Sequence, residues 1–522
     1  MLKKLHGRKL AVCLIGGAMY ALFSAFGWQA EHGGVIWAGG ALLVAALLVW
    51  PIAALLAVLL ERGYTRTLRR EKTFRAGRAF AFILACYVPM FCVAFPGSFA
   101  YDVPYQLRQV VTGAYSTHHP LLHTLALGGL LQLGRALGDI NLGAALYTAL
   151  QMALLAGCFA LTCGSIARQS GARAAKRAAV FFALYPLNMV MAVNATKDVL
   201  FGGFFALTLA LLNEIREKPS RGLALKIAAC GALAVMLRNN MAYAALVWLA
   251  ILTLGLRKAE KSAALAMLLA LAVGLCGNAA LKRATRAESG DMSEMLSWPI
   301  QQLARARLYD EERLTDAEKE AIDELMPGEA WACYDPTISD PVKFEFDTQA
   351  FRADVKKYVG VWLSVGKKCA GTYLDATMAL TYPFFYPYRE YRVSGYYVQM
   401  GMSDAYDAGW CDFDPPESRS LFPRALASLS WRFGAKGAMQ IPVVGWLFNM
   451  GVIVWTMLFF ALREMYWGRW RRFGTALLPV LLWGTFLLGP VMAGRYIYPF
   501  VCALPVLAAR PGRSVKEAER HG

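Results

Sequence analysis

Charge is scarce in this 522-residue sequence: Asp, Glu, Lys and Arg make up 17% of it, against about 25% in soluble domains. Histidine numbers only six. No Cys-x-x-Cys occurs, so a zinc or thioredoxin-type motif has no support. No Gly-x-Gly-x-x-Gly opens a plausible βαβ unit, which excludes that dinucleotide-binding signature. There is no internal repeat, linker or low-complexity tract. The N-terminal residues Lys3, Lys4, Arg8 and Lys9 precede an apolar run as in a signal peptide. No small-residue cleavage site follows, so a retained first helix is expected.

What the sequence does have is hydrophobic length. Apolar residues make up 57% of the chain, gathered in runs such as Gly40 to Leu60 and Ser262 to Leu281. A helix needs ~20 apolar residues to cross the hydrocarbon core. The expected fold is an all-α polytopic membrane protein, with candidate spans at 10–28, 34–60, 79–95, 119–137, 141–167, 175–193, 198–215, 222–237, 241–256, 262–281, 441–461, 475–493 and 496–509.

The net charge of +18 does not point to nucleic acid. Residues 282–440 hold 24 acidic and 19 basic residues, so the remainder carries the positive excess, mostly in short loops between spans. That is the positive-inside pattern. Loop 61–78, with seven Arg/Lys against two Glu, is expected to be cytoplasmic. So are Arg168 to Arg177, Arg216 to Arg221, Arg257 to Lys261, Arg463 to Arg472 and the tail after Arg510. Segments 96–118, Asn194 to Asp198, Arg238 to Asn240, 282–440 and Arg495 then fall outside. This orientation requires 119–167 to cross an odd number of times, although it holds two candidate helices. Either the stretch from Pro120 is re-entrant or interfacial, leaving about twelve crossings, or the charge rule fails at Arg168 to Arg177. Three parts follow: a transmembrane module over 1–281 with an external loop at 96–118, a mainly helical extracytoplasmic domain over 282–440, and C-terminal helices with a cytoplasmic tail over 441–522. The aromatic pieces Tyr382 to Tyr391 and Tyr396 to Tyr397 suit the outer membrane interface. Eleven cysteines are present. Those in apolar runs read as small buried hydrophobes, whereas Cys333 is expected to pair with Cys411 in an oxidising compartment.

Chemistry-bearing residues concentrate between Phe95 and His123, FPGSFAYDVPYQLRQVVTGAYSTHHPLLH. Asp102 is its single carboxylate, a candidate general base. Tyr105 and Gln106 follow, then His118, His119 and His123, half of the chain's histidines. Imidazoles bind phosphate, titrate or ligate metal. Asn194-Ala-Thr-Lys-Asp198 adds Lys197, suited to a phosphate, and Asp198, either a second carboxylate or the N-cap of the next helix. Arg238 and Arg495 stand at span ends, where an ionisable group is costly and a guanidinium matches phosphate. Tyr496 adjoins Arg495. Ser297 to Arg305 and Ile338 to Lys343 are expected to be structural rather than groove-lining.

The elements YDVPYQ, YSTHHPLLH, NATKD, WPIQQLAR, ISDPVK and GRYIYP, in that order, resemble an uncharacterised bacterial family of predicted membrane glycosyltransferases. That family is in turn similar to the GT-C superfamily. The resemblance covers roughly residues 79 to 505. It implies many helices, a first external loop bearing a catalytic Asp, and a polyprenyl-phosphate-linked sugar as donor. It puts Asp102 in the base position and likens His119-Pro120 to the His-Pro of related transferases. The acceptor would be a cell-envelope glycan, lipid or protein, reached from the plasma membrane with inversion at the anomeric carbon. No Asp-x-Asp or Asp-Glu pair adjoins Asp102, so no metal is assigned, although a divalent cation is left open. Two other readings stand: a glycolipid transporter or flippase, which would be expected to show inverted repeats, and an envelope-polymer ligase or polymerase.

Overall fold

A computed structural model of the chain describes residues 5–32, 39–62, 73–100, 102–254, 260–290, 292–387, 398–402, 415–434 and 441–510. Helices dominate. Among the described residues there is no strand, only isolated bridges. The first six helices are α1 (Arg8–His32), α2 (Gly39–Arg62), α3 (Ala76–Ala94), α4 (Val103–Thr112), α5 (Leu121–Ala136) and α6 (Ile140–Ser170). Six more complete the first half: α7 (Ala172–Leu184), α8 (Pro186–Ala192), α9 (Lys197–Glu217), α10 (Arg221–Leu237), α11 (Asn239–Leu254) and α12 (Lys261–Thr285). The polar segment contributes α13 (Ser297–Tyr309), α14 (Asp316–Leu325), α15 (Asp340–Phe344), α16 (Thr348–Ala353), α17 (Val355–Lys368), α18 (Ala370–Thr381) and α19 (Pro423–Gly434). The last three are α20 (Met450–Tyr466), α21 (Trp470–Leu487) and α22 (Tyr498–Ala508).

Every candidate span therefore holds a helix. Six of them, α1, α2, α3, α6, α9 and α12, are long and apolar enough to cross a membrane. The chain is a helical membrane protein. Two departures have local causes. The run expected at 175–193 is broken where Pro186 forces Tyr185 out of the helical region, φ −66° and ψ 120°, as the residue before proline must be. The run expected from 441 starts its helix only at Met450, because Pro442 and a positive φ at Val443 hold the preceding residues in a 3-10 turn. Asn449 then caps α20 by accepting from the Val452 amide.

α9 is the most enclosed of the six long helices, with 83% of its apolar window buried. Phe201, Phe205 and Leu209 are fully covered in the main core, together with side chains from α3, α6, α10 and α22. α2 is the opposite case: Leu43, Leu47, Trp50 and Leu55 are exposed, the surface a lipid-facing helix presents. α5 runs against α6 without side chains between them. A Cβ on Gly134 would lie 2.3 Å from the Gly143 amide nitrogen, and one on Gly143 2.3 Å from the Leu130 carbonyl. With 16 residues, α5 is about 24 Å long, short of the ~30 Å hydrocarbon core.

Segment 292–373 has an apolar core of its own, built on Ile300, Leu303, Ile322, Leu325, Val342 and Val365. Its fastenings to the bundle gather at one end. Trp298 donates to the Leu487 carbonyl at 2.7 Å, the Ser339 amide to Pro490 at 2.9 Å, and the Thr117 amide to Glu288 at 2.9 Å. Gln301 donates to the carbonyls of Asp335 and Ile338, Arg305 to the Tyr334 hydroxyl, and Lys343 pairs with Glu294 and Asp340. These motif residues hold the segment together, as expected. Cys333 is exposed and Cys369 buried. Cys411, the expected partner of Cys333, lies outside the described residues, as do 63–72 of the basic loop, 255–259, the aromatic residues 388–397 and the tail from 511.

Candidate functional site

The end of the bundle that carries the polar segment brings four separated loops together. Ser98 pairs with Asn194 in a short bridge, its hydroxyl accepts from the Gly401 amide at 3.0 Å, and Asn194 donates to the Gln399 carbonyl at 2.8 Å. This frame sets the start of α4 beside the start of α9. Asp102 occupies the N-cap position of α4, but its side chain makes no capping bond. It turns instead towards cations.

Oδ2 of Asp102 takes the contacts. Lys197 Nζ donates to it at 2.9 Å and Arg495 Nη1 at 3.1 Å. His119 Nδ1 stands 3.7 Å away. Oδ1 has a single 3.5 Å contact, from Arg495 Nη2. Behind this group lies a second pair. Asp198, fully buried in the first turn of α9, accepts from Arg238 and from the Thr196 hydroxyl at 3.2 Å. Arg495 Nε lies 3.9 Å from its other oxygen, joining the two pairs. Arg238 stacks over Phe486 and Tyr496, each centroid 4.6 Å away, and Arg495 lies 5.3 Å from Tyr496. Two carboxylates thus face three cations, with one positive charge in excess.

Burial by itself would raise the Asp102 carboxyl, but Arg495, then Lys197 and His119, hold it well below the usual carboxylate range. Burial drives the His119 imidazole down to about 3 against the opposing pull of Asp102, and Lys197 adds to the depression. At neutral pH the ring is uncharged, and Lys197 Nζ lies 3.5 Å from its Nδ1.

Seven of the ten expected site residues therefore meet: Asp102, His119, Lys197, Asp198, Arg238, Arg495 and Tyr496. Three do not join them. Tyr105 is 54% exposed. His118 is exposed and touches only the edge of the His119 ring. Gln106 is buried beneath α4, where its amide donates to Thr124 and meets His123. Of the two readings of Asp198, the N-cap does not hold. Thr196 holds the N-cap position of α9, because Asp198 is drawn to Arg238.

His123 belongs to a buried relay instead. Its Nε2 meets the Tyr147 hydroxyl at 2.9 Å, Tyr147 donates to Gln151 at 3.1 Å, and Gln151 donates to the carbonyls of Ala192 and Asn194. Tyr147 and Gln151, four residues apart on α6, were missed in the sequence. Their signal is a pair of polar groups on the inward face of an apolar helix.

Among the described residues no three of His, Cys, Asp and Glu are grouped to hold a metal. With Asp102 and Asp198 already engaged by cations, the donor set here does not fit a divalent ion.

The fold and cluster define a polytopic helical membrane protein with a buried charge network at one end. The chain belongs to a family of unknown function (DUF6020), whose match covers residues 110–521. The match takes in the whole cluster except Asp102, eight residues upstream of its start. No curated protein and no solved structure matches the chain.

Proposed function

We propose that the chain is a membrane glycosyltransferase of the GT-C kind. It would transfer a sugar from a polyprenyl-phosphate donor to a glycan, lipid or protein acceptor on the outer side of the plasma membrane, where segment 282–440 would lie. The supporting observation is the convergence of three cations on two carboxylates from positions 40 to 393 residues apart. A positive excess in a partly buried setting suits an anionic leaving group, which gains charge as the glycosidic bond breaks.

In this reading Lys197 and Arg495 bind the donor phosphate, while Asp198 holds Arg238 behind them. The acceptor hydroxyl attacks the anomeric carbon. The bond from that carbon to the phosphate oxygen breaks, the phosphate leaves with the electron pair, and the configuration inverts. The hydroxyl proton passes to Asp102, whose Oδ1 is the less occupied oxygen. As paired now, Asp102 is a weak base. An arriving phosphate competes for Lys197 and Arg495, and loss of those contacts raises the proton affinity of Asp102. The base would be activated by the donor it serves.

The test is Asp102→Asn in purified protein, with a polyprenyl-phosphate sugar and envelope acceptors. Turnover is expected to fall about 10²–10⁴-fold, with donor affinity undiminished or increased, because a neutral Asn competes less for Lys197 and Arg495. Transfer at the wild-type rate would overturn the assignment and make Asp198 the next residue to examine. A glycolipid carrier would instead move labelled donor across vesicle membranes without consuming it.

A further inference from the structure

The end of the bundle opposite the Asp102 cluster carries a cleft that the proposed chemistry does not use. α9 has Lys197 in its first turn and Arg216 in its last, about 28 Å further along. There Asn213 and Arg216 face Ile251 and Leu252 of α11 and the start of α21 across a volume of about 700 Å³.

Arg216 forms the floor and is 3% exposed. Its Nε donates to Glu260 at 2.8 Å, Nη1 donates to the Thr475 hydroxyl, and the guanidinium carbon lies 5.4 Å from the Trp248 ring centroid. Nη2 is buried without a hydrogen-bond partner, a costly state for a charged donor. It occupies the gap left by Gly474, where a Cβ would lie 3.1 Å from it. Asn213, three residues before Arg216, shares its face of α9, and its Oδ1 is likewise buried and unpartnered. At the mouth stands Arg471, which is exposed. The two carboxylates of the lining have arginines of their own, Glu260 with Arg216 and Glu217 with Arg472. Arg471 has none among the described residues. The N-terminus of α21 opens on the same cleft without a side-chain cap, and the positive end of a helix favours an anion.

These groups say what the cleft takes. The unpaired Arg471, the spare donor of Arg216 and the uncapped helix call for an anion with several acceptor oxygens. The bare oxygen of Asn213 calls for a hydroxyl donor beside that anion. We propose that the cleft binds a hydroxyl-bearing phosphate ester. Its phosphate lies between Arg471, Nη2 of Arg216 and the first amides of α21, and its hydroxyl donates to Asn213. Two sources offer this chemistry, a glycerol-phosphate lipid headgroup and a soluble glycerol or sugar phosphate. The site is independent of the donor site and of the reaction assigned to it.

The test uses the full chain in a neutral maltoside detergent and isothermal titration calorimetry. The probes are glycerol 3-phosphate, dihexanoyl phosphatidylglycerol and, as the zwitterionic control, dihexanoyl phosphatidylcholine. Saturable binding of an anionic probe, one per chain and tighter than phosphatidylcholine, is expected. Binding of phosphatidylglycerol alone identifies the lipid source, and equal binding of glycerol 3-phosphate identifies the soluble one. An arginine near the membrane surface contributes about fivefold in affinity for an anionic headgroup, so Arg471→Gln is expected to weaken binding about that much and Arg471→Glu further. Absence of saturable binding by both anionic probes would overturn the proposal. So would phosphatidylcholine bound as tightly as phosphatidylglycerol, or an affinity unchanged in Arg471→Glu. Should these variants not fold, the salt dependence of the wild type decides, because a charge-paired phosphate is released as salt rises and indifference to salt refutes the site.

Discussion

Lys197 donates to Oδ2 of Asp102 at 2.9 Å, and this one contact joins the first turn of α9 to the entrance of α4. The lysine is 14% exposed and the carboxylate 22%, so water reaches the pair without dissolving it. The contact holds an ammonium and a carboxylate one hydrogen bond apart, the two groups to which the proposed reaction gives phosphate binding and proton acceptance.

Lys197→Met removes one of the cations that depress Asp102. The Asp102 pKa then rises, and the acidic limb of kcat/KM, which follows the free enzyme, moves to higher pH. Donor KM is expected to increase at least tenfold, as about 1.4 kcal/mol of lost phosphate contact would give. An acidic limb that stays in place would count against Asp102 as the base.

Asp198 and Arg238 are buried more deeply than Asp102, at 0% and 8% exposure. Asp198→Ala strands the guanidinium and is expected to destabilise the protein by about 3–5 kcal/mol. Restoring balance with Arg238→Ala should recover part of that loss. Asp102→Asn, at a partly exposed position, should cost clearly less than Asp198→Ala. Thermal unfolding in detergent would rank the variants, and an Asp102→Asn loss as large as that of Asp198→Ala would contradict the division of labour.

His119 is neutral when folded, with its imidazole driven down to about 3 from 6.5. Between those values the unfolded chain binds the extra proton, so stability is full above about pH 6.5 and declines as pH falls towards 3. His119→Gln should flatten this part of the stability profile. A variant profile as steep as the wild type would assign the acid sensitivity elsewhere.

Gly143→Ala sets a methyl group 2.3 Å from a backbone carbonyl, which cannot yield as a side chain would. A loss of about 1–3 kcal/mol is expected. Gly129, on the same α5 helix, has nothing within 4 Å of its Cβ position, so Gly129→Ala should be neutral or stabilising by about 0.4–1 kcal/mol. Equal melting temperatures for the two variants would refute the close α5–α6 contact.

Orientation is open to a direct check. In a Cys333→Ser, Cys411→Ser background, Glu320→Cys is expected to react with an impermeant thiol reagent on intact cells, and Arg75→Cys is not. The reverse pattern would invert the chain in the membrane and remove the proposed acceptor side.

Burial cost made most of the site legible in the sequence. Asp102, Lys197, Arg238 and Arg495 are ionisable groups at the ends of apolar runs, where only partners offset desolvation. Which partner each takes was not legible, because Asp102 and Arg495 are 393 residues apart and no local pattern encodes that distance. Tyr105 and Gln106 are expected in the site from the sequence but do not join it, because sequence proximity to Asp102 does not say which way a helix turns its faces. Local breakers explain the misplaced helix start at Met450, where the residues from Ile441 are as apolar as a span but include Pro442 and the turn at Val443.

The relay from Gln106 through His123 and Tyr147 to Gln151 has a consequence for how such a site could be tuned. One end of that chain is fixed in α4, four residues from Asp102, and the other grips the carbonyl of Asn194, three residues from Lys197. It is a strut of fixed span between acid and cation. Lengthening or loosening the strut at Tyr147, which meets no substrate in the proposed reaction, would alter the spacing of the two groups that do. In the proposed reaction, catalytic strength could therefore be graded by changes on α6 that replace no group meeting donor or acceptor.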